Sequence, residues 1–375
     1  MRVQLIPIGE LLDFFNGKAP NQVDDGEFVL YGSNGKIGRS KSFNHENSII
    51  LGRVGAYCGS VEVCLDRFWA SDNTIVIKTK KGYDLRYMYY RLLSFPLRSY
   101  AGGAAQPLLT QTILRGIKLQ IFTDLLIQQR IASILAAYDD MIENNRRRIQ
   151  LLEQAARLLY KEWFVHLRFP GHEHVKIKDG VPEGWEVGTI SDFYTTASGG
   201  TPSRKNPDFY IGNIPWVKTQ ELNGGFILST DERITEEAIK FSSAKLFPRH
   251  TVLVAMYGAT IGQTAILSVP SVTNQACCAV IPAAPGTTFA HAYLFLSQHK
   301  TDLIGLGQGA AQKNISQQVI KAVKMVLPAT RFLDAFTASV YPFFDQIEIL
   351  QRMNTNLKKA RDLLLPRLMN GSITV

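Results

Sequence analysis

With 375 residues, 46% of them hydrophobic and 19% charged, the chain is long enough for two or three domains with separate cores and too apolar to be disordered. No apolar run is long enough to cross a bilayer, and Arg2 is followed by no apolar segment before Gly9 and Glu10, so neither a membrane span nor a signal peptide is expected and a cytoplasmic protein is the default. The four cysteines (Cys58, Cys64, Cys277, Cys278) lack C-x-x-C or zinc-finger spacing and read as reduced core residues, while the formal net charge of +9 favours an anionic partner such as nucleic acid.

Residues 1–123 alternate short strand-like runs with turn signals (Asp24-Asp25-Gly26, Gly32-Ser33-Asn34-Gly35), and one helix is expected over Leu85–Leu97, with Tyr87, Tyr90, Leu93 and Leu97 on one side. This is an α+β pattern, mostly strand. It carries 15 lysines and arginines against 10 acids, whereas residues 181–330 carry 11 against 10, so the positive charge is unevenly placed.

Residues 124–166 form a long helical pattern, stopped by Pro170 and Gly171. Its apolar positions are Ile127, Ile131, Ile134, Tyr138, Ile142, Ile149, Leu152, Ala156, Leu159 and Trp163, with Asn145 on the same seam. Steps of three and four describe a helix that packs along another helix. Arg146-Arg147-Arg148 reads as its solvated face. Residues 167–184 read as a linker, where His172 and His174 lack further ligands for a metal site.

A second globular domain follows over residues 185–330, about twenty residues longer than the first. Residues 331–375 form the partner helix, with Phe343, Ile347, Leu350, Leu357, Leu364 and Leu368 at matching spacing. It either runs continuously from Phe332 with a kink, the preferred reading, or begins near Pro342 as an N1 proline; Asn370-Gly371 caps it. The helix-pair interface is assigned to Ile142, Ile149, Leu152, Leu159, Ile347, Leu357 and Leu364.

The two halves repeat one another. A shift of 205 residues places Asp140, Ile142 and Glu143 on Asp345, Ile347 and Glu348, and Leu152 and Leu159 on Leu357 and Leu364. Ahead of the helices, Gly55-Ala56-Tyr57-Cys58-Gly59 recurs as Gly258-Ala259-Thr260-Ile261-Gly262, Asn73-Thr74 as Asn274-Gln275, and Gly103-Ala104-Ala105-Gln106 as Gly309-Ala310-Ala311-Gln312. Collinear matches at nearly constant offsets, from 201 to 206 residues, indicate duplication.

Catalytic signatures are missing. Asn213-Ile214-Pro215-Trp216 only resembles the catalytic loop of a nucleic-acid methyltransferase and has no Rossmann fingerprint with it, and Gly258 to Thr264 lacks the lysine of a P-loop. No nucleophile, base and orienter set is evident, so the chain is not expected to be an enzyme or to hold a cofactor or metal. What remains are Gly-rich polar loops that differ between the repeats: Asn34 to Ser40, Arg53 to Gly59, Ser203 to Asn206, Tyr257 to Gln263 and Gln312 to Asn314. Glycine allows close backbone approach, and Lys, Arg, Asn and Gln bond phosphates and base edges. The candidate DNA contacts are Asn34, Lys36, Arg39, Arg53, Arg204, Lys205, Lys218, Tyr257, Thr260, Gln263 and Lys313. Any single loop also reads as an ordinary turn; the set on duplicated domains favours DNA.

Ser198-Gly199-Gly200-Thr201-Pro202-Ser203, Ile214-Pro215-Trp216-Val217, Met256-Tyr257-Gly258-Ala259-Thr260-Ile261-Gly262, Thr273-Asn274-Gln275-Ala276 and Leu364-Leu365-Pro366-Arg367-Leu368-Met369 resemble the specificity subunit of type I restriction-modification systems. Tyr31-Gly32-Ser33-Asn34-Gly35-Lys36-Ile37-Gly38 and Ile50-Leu51-Gly52-Arg53-Val54-Gly55 extend the resemblance over nearly the whole chain. The first domain departs from the pattern: Leu51-Gly52-Arg53-Val54-Gly55 replaces a Tyr-Gly-Ala signature, and the Gly-Thr-Pro segment is shortened to Gly17-Lys18-Ala19-Pro20. The resemblance implies two target-recognition domains, each reading half of a split site in double-stranded DNA. Between them it implies a long antiparallel helix pair, a coiled coil, that docks two DNA methyltransferase subunits, with restriction subunits as further partners. A scaffold binding only proteins, a DNA-binding protein outside restriction-modification, or a nuclease or methyltransferase with an unrecognised site remain the alternatives.

Overall fold

The computed structural model describes residues 3–20, 22–103, 106–307 and 314–375. The chain forms two units: residues 1–142 with 356–375, and residues 143–355. The duplicated segments thus build two cores, and each long helix contributes to both.

In the first unit β1 (Val3–Pro7) leads through a short α1 (Ile8–Leu11) into β2 (Leu12–Asn16), β3 (Phe28–Gly32), β4 (Gly35–Ser40), β5 (His45–Gly52), β6 (Val61–Ala70) and β7 (Thr74–Thr79). Then come α2 (Leu85–Leu93), α3 (Gln111–Gly116), β8 (Lys118–Phe122) and α4 (Leu125–Tyr160). Strands β2-β7-β5-β6-β3-β4 form one sheet, while β1 pairs antiparallel with β8. Strand alternation puts Ile49, Leu51, Ile75 and Ile77 on the core face, where they join Tyr87, Met88 and Tyr90 of α2, Ile131 and Leu135 of α4, and Leu365 and Leu368.

The second unit opens with a hairpin of β9 (Ile177–Lys178) and β10 (Val181–Pro182). Next are β11 (Glu186–Thr189), α5 (Ile190–Phe193), β12 (Tyr194–Ser198), β13 (Ile214–Val217), β14 (Phe226–Ile227), β15 (Glu232–Ile234), α6 (Glu236–Lys240) and β16 (Leu246–Phe247). Strands β17 (Val252–Ala255), β18 (Thr264–Leu267), β19 (Ser271–Thr273) and β20 (Cys277–Pro282) precede α7 (Phe289–Gln298), α8 (Lys300–Gly305), α9 (Gln317–Lys321), β21 (Lys324–Leu327) and α10 (Thr330–Met369). Here β11 pairs with β21 as β1 does with β8, and the strand order β12-β20-β17-β18 repeats β2-β7-β5-β6. The counterpart of the ten-residue β6 is broken into β18 and β19 with Pro270 between them, since proline cannot donate to a ladder. The added length lies largely between β13 and β15, where the first unit has only the Ser33-Asn34 turn between β3 and β4.

Several expectations change on contact with the structure. Asn34 to Ser40 is a loop only at Asn34; the rest is edge strand β4, closed onto β3 by a turn that needs Gly35 at φ +89°. Its glycines and charges hid it, because an edge strand needs little apolar surface. Expected helix 85–97 stops at Leu93 and resumes as a 3-10 turn over Leu97–Tyr100, since a residue before Pro96 avoids the helical region. The stretch read as a linker carries the β9–β10 hairpin and buries Phe169 against Trp185 and Phe332, at ring-centroid distances of 5.1 and 4.5 Å. Its His172 imidazole lies 2.9 Å from the Phe169 carbonyl and 3.2 Å from Glu173. On α4, Ile134 faces solvent and Leu135 is buried, because the sheet unit covers Ala132, Leu135 and Ala136. Cys58, Cys277 and Cys278 are buried free thiols, and Cys64 is only partly covered.

Helix α4 ends in a π turn at Lys161–Val165, and α10 is continuous through Pro342, which lies on its exposed side. Helix α10 is capped by Gly371 at φ +78°. In the second unit Asn145 bonds Asn354 at 2.9 Å and Trp163 meets Phe336 at 5.6 Å, so the α4 and α10 contacts there run in opposite chain directions. Among the described residues no helix is long and apolar enough to cross a membrane.

Helix α7 is buried over Phe289–Leu296, and this places His291 in an apolar interior, where its ring bonds the Tyr194 hydroxyl at 2.8 Å. Burial lowers its pKa from 6.5 to about 3. The unfolded chain binds this proton below about pH 6.5 and the folded unit does not, so its contribution is complete above that pH and is lost as the pH falls towards 3. At 1.36 kcal/mol per pH unit once the unfolded histidine is protonated, and half that slope at pH 6.5, moving from pH 6.5 to 5 should remove about 1.6 kcal/mol. Urea titrations at the two pH values should show this loss in the parent chain and its absence in His291→Gln.

Candidate nucleic-acid interface

At one end of the strands of each unit the backbone gathers the same four segments; in the second unit the strands involved belong to two sheets, β12-β20-β17-β18-β14 and β15-β13-β19-β16. In the first unit the turn after β3, the loop between β5 and β6, the turn after β6 and the segment before α3 meet. Ser60 Oγ donates to the Ser33 carbonyl at 2.5 Å and Ser33 Oγ to the Asn73 carbonyl at 2.6 Å. Arg53 N donates to Asn73 O at 3.1 Å, and Gly55 N to Pro107 O at 3.1 Å. In the second unit Asn274 N donates to Val217 O, Met256 N to Ala276 O, and Tyr257 bridges Asn314 as Val54 bridges Leu108.

The recurring Gly-x-x-x-Gly motif is explained here. Both copies fold as a 3-10 turn at a hairpin end, with Gly55 and Gly258 at φ +73° and +70°, and Gly59 and Gly262 at +89° and +74°. A Cβ disfavours that left-handed region, so the spacing is imposed by backbone geometry. A close approach accounts for the other shared glycine: a Cβ on Gly17 would lie 1.9 Å from Ser71 O, and one on Gly199 2.1 Å from Thr273 O.

On this framework the two edges carry different side chains. Asn34 and Lys36 are exposed beside the first edge, and Arg53 lies within it, partly buried, with its Nε unbonded. Arg39 is three pairs further along β4, opposite Val29, where it donates to the carbonyls of Gly26 and Glu27, both at 3.2 Å. The structure therefore does not bring Arg39 to the loops. Sequence reasoning missed Tyr57 at the loop tip, 58% exposed, and Arg98, whose Nη1 donates to Ala56 O at 2.7 Å. The repeat could have flagged Tyr57, which aligns with Thr260, but nothing in the sequence ties Arg98 to this loop.

In the second unit Tyr257 is 43% exposed, Thr260 closes its own turn on the Tyr257 carbonyl at 3.3 Å, and Gln263 directly precedes β18. Thr201 bonds Gln275 across the edge, and Lys205 is exposed beside Ser203. Arg204 and Lys218 are not free cations: Arg204 makes a two-pronged contact with Glu232 at 2.6 and 3.1 Å, and Lys218 Nζ reaches the same carboxylate at 3.0 Å. Hydrogen bonds from Arg204 and then Lys218 hold the Glu232 carboxyl down at about 2. Lys313, with Gln312, lies outside the described residues. Among the described residues no three His, Cys, Asp or Glu side chains are grouped to hold a metal ion. The arrangement offers hydrogen-bond donors and acceptors together with the exposed Tyr57 and Tyr257.

The comparisons agree with this duplication. A family model described as "Type I restriction modification DNA specificity domain" matches residues 2–154 and again 182–354. The type I restriction enzyme MjaIX specificity subunit of Methanocaldococcus jannaschii is 27% identical over 306 residues, covering 79% of this chain and 71% of the relative. The type I restriction enzyme HindI specificity subunit of Haemophilus influenzae is 26% identical, covering 82% of each. The crystal structure of a type I restriction-modification S subunit from M. genitalium superposes with a TM-score of 0.64 at 15% identity, covering 98% of this chain and 96% of that one, and shares the fold.

Proposed function

Because the chain belongs to the family of type I restriction-modification DNA specificity subunits, we propose that residues 1–123 and 185–330 are two target-recognition domains, each reading one half of a bipartite, non-palindromic site in double-stranded DNA. The chain's role is specificity and not catalysis, carried out in the cytoplasm with methyltransferase subunits and with restriction subunits where these are present. One observation carries the proposal: the same four backbone segments meet at the strand ends of both units, yet the side chains they present differ. A shared framework with different polar groups is what reading two different sequences requires.

Helices α4 and α10 are read as one antiparallel coiled coil separating the two domains and docking two methyltransferase subunits, one for each repeat. The opposed α4 and α10 contacts support this, as does the burial of Ile142 and Ile347, with Ile149, Leu152, Leu159 and Leu364 packed against the cores. Leu357 is partly buried on the same helix.

Arg53 is the contact with the clearest expected readout. Mapping methylated adenines in a host carrying the gene should give a split motif, and Arg53→Ala should relax one base position in one half. A base contact of this kind is worth about 1 to 3 kcal/mol. An unaltered motif with unaltered affinity would remove Arg53 from the interface.

A further inference from the structure

Arg204, Lys218 and Glu232 form an electrostatic cluster in the second unit. Glu232 stands on β15 directly opposite Trp216 of β13, so its backbone is fixed by the ladder. The Arg204 guanidinium lies over Tyr210 and Trp216, 4.1 and 5.1 Å from their ring centroids. These rings are anchored in turn, Tyr210 Oη to Pro202 O at 2.7 Å and Trp216 Nε1 to Gly200 O at 3.1 Å. Lys218 follows Val217, whose carbonyl accepts from Asn274 N, so the cluster borders the loop edge described above. The counterpart edge strand, β4, holds Lys36 and Arg39 and no acid.

We propose that Glu232 is a specificity-determining residue of the second domain: it holds Arg204 and Lys218 in a charge-compensated triad that withholds them from indiscriminate phosphate contacts and presents them as directional donors to base edges. The proposal rests on the reading of this unit as a DNA-reading domain. Phosphate attraction depends on the positive charge a surface can deliver and ignores sequence. Base edges instead demand donors in fixed positions. One carboxylate shared by two cations halves their net charge, and the two rings and the two-pronged contact fix the plane of the guanidinium. Arg204 remains accessible, with 55% of its side chain exposed, while Lys218 is at 19%.

The test uses the full chain and two labelled duplexes, one carrying the methylated site mapped in the host and one lacking it, at 50 to 200 mM salt. Glu232→Gln keeps the size and removes the charge. It should bind the duplex lacking the site more tightly at 50 mM and lose that affinity more steeply. Each phosphate newly engaged adds about 0.9 to the salt slope, an extra loss of about 3.5-fold over this range, or about 12-fold for two. Discrimination between the duplexes should shrink, and Glu232→Asp should restore part of it. A folded Glu232→Gln with the parent's slope and discrimination overturns the triad.

Should Glu232→Gln not fold, Arg204→Gln and Lys218→Gln decide: loss of discrimination at an unchanged slope supports compensation, and a slope flattened by about one in each overturns it. A parent chain that does not discriminate between the duplexes overturns the DNA-reading assignment and the triad with it. A discriminating parent with an unaffected Glu232→Gln overturns the triad alone.

Discussion

Replacing residues 185–330 with the corresponding segment of another family member should change one half of the methylated site and leave the other half intact. The boundaries suit the exchange, because β11 and β21 travel together with their register from Glu186↔Leu327 to Thr189↔Lys324. The two smaller cores, one around Leu253 and Leu267 and the other around Trp216 and Val272, also lie wholly within the segment. The main core does not: Ala156, Tyr160, Trp163 and Phe169 precede it, and Phe332, Phe336, Phe344 and Ile347 follow it.

Polar contacts also cross these boundaries, among them Phe226 N donating to Gln351 Oε1 at 3.0 Å. Glu348 of α10, 5% exposed, is bonded by Arg249 and Ser268 of the exchanged segment as well as by Arg352 of its own helix. A donor segment lacking arginine and serine at those two places would leave a buried carboxylate short of partners, a defect worth several kcal/mol. Chimeras should therefore keep Arg249 and Ser268. Sequencing the methylated sites of a folded chimera reads the outcome, and a change in both halves together would sink the division of labour.

Arg361→Ala should destabilise the first unit by about 3 kcal/mol, the lower end of what breaking a buried ion pair costs. Asp139 of α4 is held from two sides: Tyr90 Oη of α2 donates to it at 2.6 Å, and the Arg361 guanidinium of α10 pairs with its other oxygen. The arginine side chain is 14% exposed and the aspartate 30%, so water reaches the pair only in part. Removing the arginine leaves a partly buried carboxylate with the tyrosine hydroxyl, and it also frees Asp362, bonded at 2.7 Å. Arg361→Met retains the apolar stem and should cost nearly as much if charge pairing dominates. Urea unfolding at neutral pH, with Asp139→Asn completing a double-mutant cycle, measures the coupling. A coupling below about 0.5 kcal/mol would assign the pair to the ordinary class of surface salt bridges.

Residue order was enough to reveal the duplication, the two long helices and the absence of catalytic spacing. Each of these is written in local terms: heptad steps over about forty residues, repeated glycines, and motifs that chemistry requires at fixed separations. The Gly-x-x-x-Gly copies were legible because left-handed backbone at Gly55, Gly59, Gly258 and Gly262 admits few other residues. Asn145 was legible as a polar break in an apolar seam, and it finds Asn354.

Contacts between distant segments were not legible. Edge strand β4 reads as loop because one flank of an edge strand faces water and needs no apolar alternation. Ile134 and Leu135 exchange roles because the first unit's sheet core, and not the heptad seam, decides which face of α4 is covered there. Arg98 joins the loop of Ala56 from some forty positions away, and Arg204 and Lys218, read as DNA contacts, meet a shared Glu232 on a separate strand. Side-chain charge is local to the sequence, but its compensation depends on which strands the folded sheet sets side by side.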